Sequence, residues 1–163
     1  MTAPQPVVTQ TPCTTRLQIA MALYEALRRH DFGPLEAHIP SIAEIQTQNP
    51  RFTPQAYQVW RYYLTTTFQN LLEQGPGDFG IDWSRIGFRG ASHYGFQCTL
   101  VFEHDGQLYT AAIDDCKWMP GRGWTLGDYF KGIVRGINGT MIPPNSPDIP
   151  ERYGETCRSA LGM

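Results

Sequence analysis

The stretch from Tyr94 to Asp115 constrains the fold more than any other part of the sequence. Apolar or aromatic residues alternate with smaller or polar ones on both sides of Asp105-Gly106, and this alternation is typical of two strands that each bury one face. An Asp-Gly pair between such runs favours a two-residue hairpin turn. The sequence therefore predicts an antiparallel hairpin.

The turn also sets which residues lie opposite each other. Because side chains alternate between the two faces of a strand, counting outward from the turn assigns each residue to a face. The pairs expected on the apolar face are Phe102–Tyr109, Leu100–Ala111, Cys98–Ile113 and Phe96–Asp115. The neighbouring Asp114 and Cys116 then point to the opposite face, so Asp115 is the one carboxylate predicted to face the helices.

Helical periodicity fills the residues before the hairpin. The longest helix is predicted to begin at Thr53-Pro54, since the hydroxyl can cap and proline suits the first helical position, and to end at Gly75-Pro76. Shorter helices are predicted from Thr14 or Thr15 to about Arg29, from Pro34 to Pro40, and after the Ser41/Glu44 capping box.

The residues after the hairpin contain a turn and a further helical pattern. The segment 124–126 is expected to pair back on 116–118, and Asp128 is a candidate cap for a short helix up to Ile137. Helices followed by an antiparallel sheet predict an α+β fold. The expected organisation is a mobile tail (1–13), one α+β domain (14–138) and a Pro-rich C-terminal tail (139–163).

Composition excludes several classes of function. The formal net charge is -2, with no Lys or Arg cluster, so we expect no nucleic-acid partner. No apolar run is long enough to span a membrane, and no phosphate-binding or dinucleotide-binding motif occurs, so no cofactor is predicted.

The four cysteines (13, 98, 116 and 157) and four histidines have no metal-ligand spacing. A Cys98–Cys116 disulfide is conceivable, but thiols are preferred. We expect a cytoplasmic, reduced protein, unless a signal or lipoprotein leader has been removed.

Three stretches of the chain resemble bacterial members of the NTF2-like superfamily, which includes SnoaL-like and ketosteroid-isomerase-like domains. They are "ALYEALRRHDFGPLEAHI", "IDWSRIGF" and "FEHDGQLYTAAIDDCKWMPGRGWTL". The resemblance covers residues 15 to about 128. It implies a cone in which helices pack into a curved antiparallel sheet and leave a pocket between them. The superfamily contains both enzymes and binding modules, so the resemblance does not select one function.

Within such a cone, one set of residues would line the pocket. Trp60, Tyr63, Tyr94, Phe96 and Tyr109 are the candidate aromatic lining. Asp115 among these rings is the candidate general base, because an apolar setting raises a carboxyl pKa. His93 is the candidate hydrogen-bond donor. An ordinary ion-paired strand end for Asp115 and a solvated His93 are the alternatives.

Three functions remain open from the sequence. The first is binding of a small apolar or aromatic ligand by a homodimer that associates through an exposed sheet face. The second is an isomerase, cyclase or dehydratase with Asp115 as base. The third is a protein-interaction module that uses Val101, Leu108 and Trp118 on the outer sheet face.

Overall fold

The structure, a computed structural model, describes residues 13–145, and for His93 its backbone only. The helices are α1 (Arg16–Arg29), α2 (Gly33–Glu36), α3 (Ile42–Gln48) and α4 (Pro54–Phe79), with a short 3-10 helix at Trp83–Arg85. The strands are β1 (Gly87–Tyr94), β2 (Gln97–His104), β3 (Gln107–Asp114), β4 (Lys117–Met119), β5 (Gly123–Thr125), β6 (Tyr129–Phe130), β7 (Val134–Arg135) and β8 (Thr140–Ile142). Most of the predicted N-terminal tail and the C-terminal residues 146–163 lie outside the described part.

The predicted hairpin is confirmed. Strands β2 and β3 pair antiparallel, with Phe102 opposite Tyr109, and both turn residues, Asp105 and Gly106, have positive φ as a type I′ turn requires. The sheet runs in the order β6-β3-β2-β1-β8, and β7 also pairs with β3. Six of the described strands thus form an open antiparallel sheet next to helices, and β4 and β5 form a separate hairpin, which confirms the α+β class.

Helix α1 covers the hairpin strands. It packs on β1 and β2, and its buried Ile19 and Leu23 share one core with Leu100 and Phe102 of β2. The longest helix, α4, packs mainly along β6 instead. The helix closest to the hairpin is therefore the first one and not the longest one.

The predicted helix starts are confirmed. The side-chain oxygens of Thr15, Ser41 and Thr53 each accept a backbone N–H three residues later. These bonds satisfy donors that a helix otherwise leaves unpaired. The local pattern of one capping hydroxyl before an apolar repeat was sufficient to find all three.

The predicted end of α4 at Gly75 is wrong, because the helix continues through Pro76 to Phe79. A proline inside a helix has no N–H for the carbonyl four residues earlier, here that of Leu72. The indole Nε1 of Trp83 donates to this carbonyl at 2.9 Å. Gly75 leaves room for the same ring, since a Cβ there would lie 2.3 Å from it. A tertiary contact thus replaces the missing bond.

The predicted helix after Asp128 is also wrong. The segment forms the short edge strands β6 and β7, both paired to β3. The backbone N–H groups of Lys131 and Gly136 donate to carbonyls of β3 at 2.8 Å. Gly136 has φ +88°, which breaks a helical run. β8, expected as part of the tail, pairs with β1.

The outer face of the sheet is not exposed at its centre. Val101 is 0% exposed and Thr99 is 2% exposed, although both point away from the core cluster. Leu108 and Trp118 are half-buried. The centre of this face is therefore buried in the described chain, and its use by a homodimer or an interaction module stays a prediction.

Candidate functional site

A cavity opens between α3, α4 and the β4–β5 hairpin. Its volume is about 240 Å³, which is room for several water molecules. Six apolar or aromatic residues form most of the wall: Pro40, Ile45, Phe52, Trp60, Met119 and Leu126. The polar lining residues are Gln48, Asn49, Lys117 and Asp128. A mostly apolar wall with a few polar groups is typical of small-molecule sites.

Two aromatic side chains tie the α4 wall of the cavity to its surroundings. The indole Nε1 of Trp60 donates to the carbonyl oxygen of Gly127 at 2.7 Å. The hydroxyl of Tyr57 donates to the carbonyl oxygen of Pro40 at 2.9 Å. Because a buried polar group is stable only when it is hydrogen-bonded, these bonds fix the orientation of the Trp60 ring.

Arg122 holds the opposite wall. It lies in the turn between β4 and β5, and its guanidinium is 2.5 Å from a carboxylate oxygen of Glu44. It also donates to the carbonyl oxygens of Ala37 at 2.7 Å and Ile39 at 3.2 Å. The fork of guanidinium donors suits such multiple bonding. The hairpin is thereby held at a set distance from α2 and α3, and the space between them stays open.

Charged side chains meet at one end of the cavity. Lys117 Nζ lies 2.5 Å from Asp115 Oδ2, and the carboxyl groups of Asp115 and Asp128 are close enough to influence each other's pKa. Lys117 and Asp128 line the cavity. The polar end of the site is therefore a carboxyl pair with one neighbouring ammonium group.

The backbone brings these carboxyl groups together. Asp115 follows β3 in a left-handed conformation with φ +52°, and the N–H of Asp128 donates to the carbonyl oxygen of Asp114 at 2.8 Å. A Cβ on Gly127 would lie 1.9 Å from that carbonyl oxygen. Glycine is thus the residue that permits the close approach.

The two carboxyl groups have pKa values shifted in opposite directions. The hydrogen bond from Lys117 lowers the pKa of Asp115. Desolvation at the edge of the cavity, followed by the hydrogen bond to Asp115, raises the pKa of Asp128. Two neighbouring carboxyl groups with separated pKa values are the arrangement in which one keeps its proton while the other ionises.

An open depression adjoins the cavity on the other side of Asp128. It measures about 370 Å³ and is lined by Tyr94, Gly95, Phe96, Gln97, Asp114, Asp115 and Asp128. Gln97 Nε2 donates to Asp114 Oδ1 at 3.3 Å. The rings of Tyr94 and Phe96 are more than half exposed. Asp128 therefore separates a mostly apolar pocket from a more open, acidic depression.

The expected position of Asp115 on the apolar face is wrong. The left-handed turn displaces it, so that Cys116, rather than Asp115, bonds to the carbonyl oxygen of Phe96 through its backbone N–H at 2.9 Å. Asp115 is 46% exposed, whereas Cys116 is buried in the core. Asp115 is consequently ion-paired at the surface, with its pKa lowered instead of raised.

The predicted aromatic lining is divided between several places. Trp60 lines the cavity, while Tyr94 and Phe96 border the depression. Tyr109 is buried and stacks on Phe102, so it lines neither. Tyr63 is half exposed and its ring contacts that of Tyr129. The five rings do not form one pocket.

The described histidines lie in three different settings. His38 is half-buried, and burial, with a smaller contribution from Arg122, lowers its pKa. His104 is buried, and its Nε2 accepts the backbone N–H of Asp82 at 3.2 Å. The backbone of His93 lies in β1 opposite Cys98. The role of His93 as a donor stays a prediction.

Sequence reasoning missed the residues that form the cavity around Trp60. Ile45, Phe52 and Leu126 lie in three separate segments, and no local pattern connects them. One signal was available for two other lining residues. Because side chains alternate along a strand, Lys117 and Met119 lie on one face of β4 and Trp118 lies on the other. Asp128 was interpreted as a helix cap, so its place beside Asp115 was not expected.

The remaining reactive groups do not form a second site in the described residues. Between residues 13 and 145, no group of three His, Cys, Asp or Glu side chains is arranged to hold a metal ion. Cys98 and Cys116 are buried thiols that are not joined to each other, as preferred from the sequence. Cys13 is disulfide-bonded. None of the described helices combines the length and apolar character needed to cross a membrane.

Comparison with known proteins assigns no family to this arrangement. No family model matches the chain, and neither a curated protein sequence nor a solved structure matches it.

Proposed function

We propose that this protein binds a small molecule with an apolar or aromatic body and a positively charged or hydrogen-bond-donating end. The observation that carries the proposal is the apolar cavity of about 240 Å³ that ends at Asp128 and Lys117. The predicted class of ligand is thus retained, with a different set of lining residues and a polar end in addition.

The aromatic walls favour a flat or aliphatic ligand body. Trp60 and Phe52 can contact such a body through ring faces and edges, and Met119 can adapt to its shape. The orientation of the Trp60 ring is already fixed by its bond to Gly127. A side chain that is ordered before binding reduces the entropy lost on binding.

The charges at the end of the cavity favour a cation over an anion. Asp128 lines this end, Asp114 and Asp115 lie beyond it in the adjoining depression, and Lys117 is held by Asp115. Three carboxyl groups are thus present near one ammonium group. Opposite charges in a partly desolvated site attract more strongly than in water, so an ammonium or hydroxyl group of the ligand is expected beside Asp128.

Three probes that share one ring system test the proposal: indole, tryptamine and indole-3-acetate. Binding is followed by NMR at the indole N–H resonance of Trp60 in the full chain. Tryptamine is expected to bind tightest at pH 7 and indole-3-acetate weakest. If all three leave the Trp60 resonance unchanged at millimolar concentration, the cavity is not an aromatic-ligand site.

A cavity-filling variant provides the control for location. Ile45→Trp places a large ring in the cavity and is expected to weaken tryptamine binding at least about tenfold, a loss of about 1.4 kcal/mol. Met21→Trp adds the same ring to an exposed position on α1 and is expected to have no effect. Equal weakening by both variants would contradict binding in the cavity.

A second candidate is an acid–base enzyme, for which the Asp115–Asp128 pair is the supporting observation. The lowered pKa of Asp115 and the raised pKa of Asp128 suit a base and an acid, respectively. This differs from the sequence expectation, since the carboxyl with the raised pKa is Asp128 and not Asp115. Turnover in a substrate screen that survives both Asp115→Asn and Asp128→Asn would rule out this candidate.

The other expectations have unequal support. Membership of the NTF2-like superfamily and its cone fold stay predictions, supported by the packing of helices on an antiparallel sheet. An interaction role or a homodimer through the outer sheet face is not favoured, because Val101 is buried. A reduced, cytoplasmic location is also not favoured, since disulfides such as that of Cys13 persist mainly in oxidising compartments.

A further inference from the structure

One wall of the cavity has little packing of its own. No residue from Ser41 to Thr53 is buried. Helix α3, which lies in this stretch, therefore buries none of its seven residues, whereas α1 buries seven of its 14. No helix or strand of the described chain packs closely along α3. Because segments with few buried apolar contacts open at a low cost in free energy, this wall of the cavity can move.

The loosely packed stretch lies between two fixed points. Before it, Ile39 and Pro40 are buried. After it, the side chain of Thr53 caps α4, a helix that is held in the core from Leu64 onward. The twelve residues between these points, 41–52, are called the gate below. Both of its ends are thus attached to parts of the chain that stay in place.

Hydrogen bonds inside the gate hold it together. Ser41 and Glu44 form a capping box at the start of α3. At the other end, Gln46 Nε2 donates to the carbonyl oxygen of Phe52 at 2.9 Å, and the N–H of Phe52 donates to the carbonyl oxygen of Asn49 at 3.0 Å. The gate can therefore move as one unit without losing its internal structure.

The contacts from the gate to the rest of the protein are weak by comparison. Glu44 pairs with Arg122 at 2.5 Å, and both side chains are partly exposed, so water competes with this ion pair. The ring of Phe52 meets the edge of the Tyr57 ring, with centroids 6.5 Å apart. Phe52 and Ile45 otherwise face the cavity. One partly exposed ion pair is therefore the main polar link between the gate and the β4–β5 hairpin.

We propose that the gate swings away from the β4–β5 hairpin to admit the ligand and closes over it, with the Arg122–Glu44 ion pair as the latch. This inference rests on the proposed function, the binding of a small molecule in the cavity. In the closed state Ile45 and Phe52 contact the body of the ligand, which supplies apolar contacts that the gate otherwise lacks. A ligand that binds the closed state more tightly shifts the equilibrium toward it.

The hairpin side of the cavity stays in place when the latch opens. Arg122 retains its hydrogen bonds to the carbonyl oxygens of Ala37 and Ile39, and both of these residues lie outside the gate. Met119 and Leu126, which line the hairpin side, are buried. Opening of the latch thus exposes Met119 to solvent from the side of the gate.

Glu44→Gln tests the latch in the full chain without any ligand. The substitution removes the charge that pairs with Arg122 and keeps an oxygen that can accept the N–H of Ser41. Hydrogen peroxide converts a methionine to the sulfoxide, with transfer of one oxygen atom to sulfur and release of water. We expect Met119 to be oxidised several-fold faster in Glu44→Gln than in the wild type, and exposed Met21 to be oxidised at an unchanged rate.

Glu36→Gln is the matched control. Glu36 pairs with Arg61 at 2.6 Å, and neither residue belongs to the gate or lines the cavity. This variant should leave the oxidation rates of both Met119 and Met21 unchanged. Equal rates of Met119 oxidation in the wild type and in Glu44→Gln, or equal acceleration by Glu36→Gln, would overturn the proposed latch.

NMR relaxation dispersion tests the motion itself, since lids open and close on the microsecond-to-millisecond timescale. The backbone amides of residues 41–52 should share one exchange process that is absent from α4 beyond Leu64, and tryptamine should suppress it. Exchange in the gate that tryptamine does not suppress would support the gate and contradict the proposed ligand. Tryptamine binding at Trp60 without exchange in the gate would contradict the gate and leave the proposed function standing.

Discussion

The two ends of the helix–sheet interface use aromatic residues in opposite ways. At the end formed by the C-terminus of α4, Trp83 packs against Phe102, and Phe79 packs against Tyr109. At the end formed by α3 and the β4–β5 hairpin, Trp60 and its neighbours surround an open cavity of about 240 Å³. The same residue types fill one end and leave the other empty.

The difference arises from how the backbone segments are held. At the filled end, Gly75 lets the Trp83 ring touch the α4 backbone, so nothing separates the two elements. At the cavity end, Arg122 bonds to Glu44 and to two carbonyl groups, and these contacts fix the hairpin against α2 and α3. No described ring fills the space between this hairpin, α3 and Trp60 of α4 in the way that Trp83 fills the space at the other end.

The largest expected effect is at the filled end, where Gly75→Ala should break the packing. The new Cβ would lie 2.3 Å from the Trp83 ring, and we expect a loss of about 3 kcal/mol in the free energy of unfolding. Gly77→Ala is the matched control, since nothing lies within 4 Å of its Cβ, and alanine should stabilise the helix by about 1 kcal/mol. Urea denaturation measures both. Equal changes in the free energy of unfolding for the two variants would show that the Trp83 ring does not restrict the side chain at position 75.

The next effect concerns the indole that replaces the helix bond lost at Pro76. Trp83→Phe removes the donor to the carbonyl of Leu72 and shrinks a buried ring, so we expect a loss of about 2 kcal/mol. Trp118→Phe is the control, because the described residues provide no hydrogen-bond partner for its Nε1. A smaller loss is expected there, and a loss as large as that of Trp83→Phe would contradict the role of the hydrogen bond.

These contacts show why sequence reasoning succeeded in one region and failed in another. The hairpin register follows from the local turn at Asp105-Gly106 and from alternation, and both survive folding unchanged. The continuation of α4 through Pro76 depends on Trp83, which belongs to another segment. A propensity argument contains no information about such a tertiary donor, so it ended the helix too early.

The candidate site was harder to predict for a related reason. One left-handed residue, Asp115, shifts the face of every side chain that follows it, and the register count had no local signal for it. Trp60 was identified because aromatic residues on a helix face are visible in sequence. Its partners Phe52 and Leu126 come from segments that only the folded chain brings together.

At the cavity end, Arg122→Met should weaken both the fold and the site. Loss of its bonds to Glu44, Ala37 and Ile39 is expected to cost about 1.5 kcal/mol and to weaken tryptamine binding about tenfold. Arg61→Met removes a more exposed ion pair with Glu36 and should cost well under 1 kcal/mol. Calorimetric unfolding measures the loss of stability, and NMR titration with tryptamine measures the loss of binding. Unchanged tryptamine binding in Arg122→Met would show that the hairpin does not depend on this anchor.

The smallest expected effect is on the titration of the carboxyl pair. Lys117→Met removes the hydrogen bond that lowers the pKa of Asp115 and the charge that lowers that of Asp128, so both values should rise. A carboxyl group whose pKa is lower in the folded than in the unfolded state stabilises the fold at pH values above its unfolded pKa. The stabilisation by Asp115 that this variant removes is therefore present at neutral pH, and it vanishes as the pH falls through the folded pKa of Asp115. The contribution of Asp128 has the opposite sign, since its raised pKa stabilises the folded state only at low pH.

Carboxyl ¹³C chemical shifts follow the titration of each group, and Lys131→Met, at an exposed position, is the control. A fall in either pKa after Lys117→Met would show that the lysine does not control the charged end of the cavity.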